Sequence, residues 1–75
     1  MTGSDFAAIR WIDDQGAPVS CVEKLKVLTE TLDELRQMSQ DAFEDALLMG
    51  CAEGQVRAVL QDIVARLDNP YRKAS

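Results

Sequence analysis

Between Leu25 and Met49, apolar and small residues recur every three or four positions: Leu25, Leu28, Leu32, Leu35, Ser39, Ala42, Ala46 and Met49 form one seam. That is the period of an amphipathic helix. Ser20 and Glu23 precede it with the spacing of a capping box, in which hydroxyl and carboxylate each satisfy a backbone N–H left over at a helix start. Gly50 follows it and can take the left-handed conformation that closes a helix. With no Gly or Pro in between, the pattern predicts one helix over residues 20–50, about 43 Å long at about 1.5 Å per residue. A competing reading breaks this helix at Ser39, which can cap a second one.

Val56, Val59, Leu60, Ile63, Val64 and Leu67 repeat the one-sided spacing and predict a second, shorter helix over 53–67. Asn69 and Pro70 end it, leaving 68–75 as a flexible tail. Residues 1–19 are harder to assign. Met1–Ser4 is polar and expected to fray. Ile9–Ile12, followed by Asp13, Asp14, Gln15 and Gly16, read as an extended or β-hairpin-like segment entering a turn closed by a left-handed glycine. The return arm is weak, because Pro18 has no N–H to donate to a ladder. The alternative is a short helix capped by Ser4 and stopped at Gly16.

The fold class is therefore mainly α: a long helix and a shorter one forming an α-hairpin within a single small domain, 1–75. At about 22 Å, the second helix covers only the half of the first near Ala42 and Ala46. Leu25, Leu28, Leu32 and Leu35 are left without cover, and fully burying each such side chain is worth about 1.5–3 kcal/mol. The simplest cover is a second copy. Two hairpins meeting through these four leucines give a dimeric four-helix bundle, an expectation reinforced by the small core that 75 residues can build.

Charge narrows the choice of partner. The net charge of −5 disfavours nucleic acid and anionic membrane, both of which repel an acidic protein. Glu30, Asp33, Glu34, Asp41, Glu44 and Asp45 form an acidic stripe on the predicted long helix, where like charges four apart cost about 0.2–0.5 kcal/mol per pair. The stripe and Trp11 are the candidate contacts for a basic or apolar protein surface. A solvated face is the plainer reading of the stripe, and a lid over the leucine seam the plainer reading of Trp11. With neither a signal-peptide pattern nor a membrane-length apolar run, the expected location is cytoplasmic.

No catalytic, cofactor-binding or metal residues are predicted. The chain has no histidine, so it has no imidazole base and no Ser-His or Cys-His pair. Cys21 and Cys51 form no zinc-type spacing, and they are too far apart for a disulfide if the helix between them is continuous. Neither a dinucleotide fingerprint nor a Walker A loop occurs.

Ala46, Gly50 and Val56, with apolar Met49, Cys51 and Val59, leave a second class open. From Ala42 to Gln61 this stretch resembles the motif of DNA-binding helix-turn-helix proteins, and the resemblance implies a transcriptional regulator reading DNA with the second helix. The early exposed positions of that helix offer Arg57 and little else for phosphate. The preferred reading is a non-enzymatic interaction module, a homodimer that binds another protein.

Overall fold

The computed structural model describes residues 5–72. The expected fraying of Met1–Ser4 and the last three residues of the expected tail, Lys73–Ser75, lie outside the described residues. A 3-10 turn, Asp5–Ala8, is followed by two α-helices, α1 at Val22–Leu48 and α2 at Glu53–Ala65. The fold is mainly helical, and no strand forms among the described residues.

Helix α1 runs unbroken for 27 residues, so Ser39 begins no new helix. Its start is displaced from the predicted capping box. Val22 is the first helical residue, and the Cys21 carbonyl accepts the first helical bond, from the Leu25 N–H at 2.9 Å. Cys21 thus holds the cap position expected for Ser20. Glu23 falls in the second helical position rather than the third, out of capping-box register but still beside the positive end of the helix.

The far end of α1 closes as its glycine predicts. Gly50 has φ +94°; its N–H donates to Leu47 O at 3.0 Å and the Cys51 N–H donates to Ala46 O at 2.9 Å. Those two bonds define a Schellman motif. Helix α2 follows after Ala52, which has extended backbone and no side-chain cap. It stops at Ala65 rather than Leu67, with Arg66 as its C-terminal cap.

The N-terminal segment departs most from expectation. Asp5–Ala8 is helical rather than extended, and the hairpin beyond it shrinks to one isolated antiparallel bridge, Ile12 with Pro18. Asp13 N–H donates to Ala17 O at 2.8 Å and Val19 N–H to Trp11 O at 2.9 Å, so Ile12 and Pro18 face each other as a non-hydrogen-bonded pair. Pro18 thus occupies a site where its missing donor costs nothing. Between them Gly16 takes φ +82°, as the turn requires. Asp13 Oδ1 accepts from the amides of Gln15 and Ala17, each at 2.9 Å.

The chain divides within α1 into two compact units, Met1–Met38 and Ser39–Ser75. In the first, Phe6, Trp11, Leu25, Leu28, Thr29, Leu32 and Asp33 are half-buried. In the second, the end of α1 and α2 form a helical hairpin whose half-buried residues are Ser39, Phe43, Ala46, Val56 and Leu60. No described residue of either unit is fully buried.

Candidate interaction surface

The four leucines proposed as an interface do not share one environment. Leu25, Leu28 and Leu32 are half-buried within their own chain, whereas Leu35 is exposed. Beyond Leu32, one helical turn on, Arg36 anchors the N-terminal turn. Arg36 Nη1 meets Asp5 Oδ2 at 3.0 Å, and the same guanidinium lies 4.8 Å from the centroid of the Phe6 ring. A second amine of Arg36 stands 3.6 Å from Asp33 Oδ1. Trp11 is half-buried, short of the full burial of a closed lid and of the exposure of a free contact residue.

The acidic stripe is better compensated than its sequence suggests. Arg36 lies among its carboxylates and engages Asp33, itself half-buried. Glu44 accepts a hydrogen bond from Gln40 Nε2 at 2.7 Å. Glu30, Glu34, Asp41, Glu44 and Asp45 are exposed. Among the described residues, no three thiols or carboxylates are grouped so as to hold a metal ion.

In the second unit Arg57 is held twice. Its Nε is 2.9 Å from Glu53 Oε2, and its guanidinium lies 4.7 Å from the centroid of Phe43. The cation on which phosphate contacts depended is therefore turned toward its own hairpin. Both cysteines are free thiols and both are exposed.

The chain matches no family model, and comparison with curated proteins and with solved structures returns no significant match. The surface has to be read from its own chemistry. Among the described residues no helix is long and apolar enough to cross a membrane. What distinguishes the surface is exposed apolar area: Val27, Leu35 and Met38 on α1, and Val59, Ile63, Val64 and Leu67 on or just past α2.

Of the seam drawn by periodicity, Leu25, Leu28, Leu32, Ser39 and Ala46 are half-buried while Leu35, Ala42 and Met49 are exposed; the Arg36 clamp gave no local signal, because its partner Asp5 is 31 residues away. Periodicity also passed over Val27 and Thr31. The signal for these was present, since Val27, Thr31 and Leu35 stand four apart.

Proposed function

We propose that this protein is a small non-enzymatic interaction module that assembles as a homodimer and binds another protein. The observation carrying this reading is that no described residue is fully buried, while bulky side chains such as Leu35, Met38, Ile63 and Leu67 remain exposed. Covering each such side chain gains about 1.5–3 kcal/mol, so a second surface of matching character is strongly favoured. A dimeric four-helix bundle, with α1 against α1, supplies it. The exposed carboxylates Glu30, Glu34, Asp41 and Asp45 then remain outside for a basic protein surface, in the cytoplasm.

Sedimentation equilibrium across a concentration series, in reductant, tests the assembly. The expected mass is twice the 8.3 kDa of one chain, with dissociation on dilution. A cooperatively melting monomer at every concentration overturns the reading.

A second reading, the helix-turn-helix regulator, is favoured by one observation: Ala46 and Val56 are both half-buried beside the Gly50 turn, as that motif needs. The engagement of Arg57 by Glu53 and Phe43 opposes it. DNA affinity measured across salt separates the two readings, because a DNA reader loses affinity steeply as salt rises.

A further inference from the structure

The N-terminal segment is tied to α1 at both of its ends. One end runs on through Ser20 and Cys21 into Val22, the first residue of α1. The other meets Arg36, where Asp5 Oδ2 accepts from Nη1 at 3.0 Å and the centroid of the Phe6 ring lies 4.8 Å from the guanidinium. Val22 and Arg36 stand 14 residues apart, about 21 Å at about 1.5 Å per residue, so the segment has to run back along the helix. Ala7 accordingly lines a common groove with Val22, Leu25 and Thr29.

Burial on α1 follows that path. Within this unit the half-buried residues of the helix are Leu25, Leu28, Thr29, Leu32 and Asp33, and all lie within about 80° of Arg36 around the helix at about 3.6 residues per turn. Val27 and Leu35, about 180° and about 100° away, are exposed. We propose that residues 5–19 are a strap over the leucine face of α1, hinged at Ser20 and Cys21 and latched at Arg36, which opens as a unit and bares Leu25, Leu28 and Leu32 while both helices stay folded. Opening of this kind is a property of one chain, independent of whether two chains pair.

The bonding of the segment leaves it free to move as a unit. Its backbone hydrogen bonds close within it, from Ile9 to Phe6, Asp13 to Ala17, Gly16 to Asp13 and Val19 to Trp11, and among the described residues none joins its backbone to that of α1. Swinging away therefore breaks no ladder. The latch itself faces solvent, with the Asp5 side chain 85% and the Arg36 side chain 44% exposed, and an ion pair in that setting is weak. Charge makes the latch decisive. Residues 5–19 carry three carboxylates and one arginine, and between Val27 and Leu48 Arg36 is the single cation among six carboxylates. Without Arg36, a negative strap faces a negative helix.

Trp11 is the single tryptophan and is half-buried in the strap, so its accessibility to acrylamide reports opening. Arg36→Gln and Asp5→Asn are compared with the parent chain at a protein concentration where sedimentation gives all three the same mass. Each is expected to raise the Trp11 quenching constant about twofold and to bind more of the apolar probe ANS, with helix content by circular dichroism unchanged. Because the two changes act through one latch, Asp5→Asn is expected to add nothing once Arg36→Gln is present. Quenching and ANS binding that stay at the parental level in both variants overturn the latch, as does full additivity of the two changes. Loss of helix in Asp5→Asn, which leaves α1 itself unaltered, shows a segment integral to the fold and overturns the strap.

Discussion

Arg36 reaches back along the chain to Asp5, at 3.0 Å, and the same guanidinium covers the ring of Phe6 at 4.8 Å. One side chain thereby fastens the N-terminal turn to α1 by two kinds of contact. An exposed ion pair is worth about 0.2–1 kcal/mol and an exposed cation–π contact about 0.5–1 kcal/mol. Arg36→Ala is expected to cost about 1–2 kcal/mol in urea unfolding and to speed proteolytic cleavage between Ala8 and Ser20. Unchanged cleavage would show that something else fastens the segment.

Gly50→Ala tests the Schellman turn. Nothing lies within 4 Å of an added Cβ, so the cost is conformational and comes from φ +94°, about 1–2 kcal/mol. The melting temperature is expected to fall, and Gly50→Asn to recover part of the loss because asparagine tolerates that conformation better.

Asp13→Ala removes the acceptor of two amide hydrogen bonds, from Gln15 and Ala17. Faster amide exchange is expected at those two residues and little change along α1. A global loss of helix by circular dichroism would show that the turn matters beyond its own loop.

Leu32→Asp and Leu35→Asp should differ in kind. Leu32 is half-buried in its own chain and Leu35 is exposed. Leu32→Asp is expected to lower helix content and melting temperature, because a carboxylate replaces an apolar contact. Leu35→Asp should keep its helix content and sediment as a monomer. A Leu35→Asp variant that dimerises like the parent chain places the contact elsewhere.

The helices were legible because their signals are local. A three-four repeat, a closing glycine and the absence of breakers are all read within a few residues of one another, and α1 and α2 follow. The errors lie where a local signal had competition. Ser20 has the spacing of a cap, yet the first helical bond ends on Cys21. Pro18 argued against pairing, yet it occupies the one kind of site that needs no donor. The Arg36–Asp5 contact was not legible, because its partners stand 31 residues apart.

The shallow burial throughout the described residues has a calorimetric consequence. Heat-capacity change on unfolding scales with the apolar surface newly exposed to water, and with none of the described residues fully buried the single chain has less of it to release. Dissociation and unfolding of a dimer release it together, and the melting temperature then rises with protein concentration.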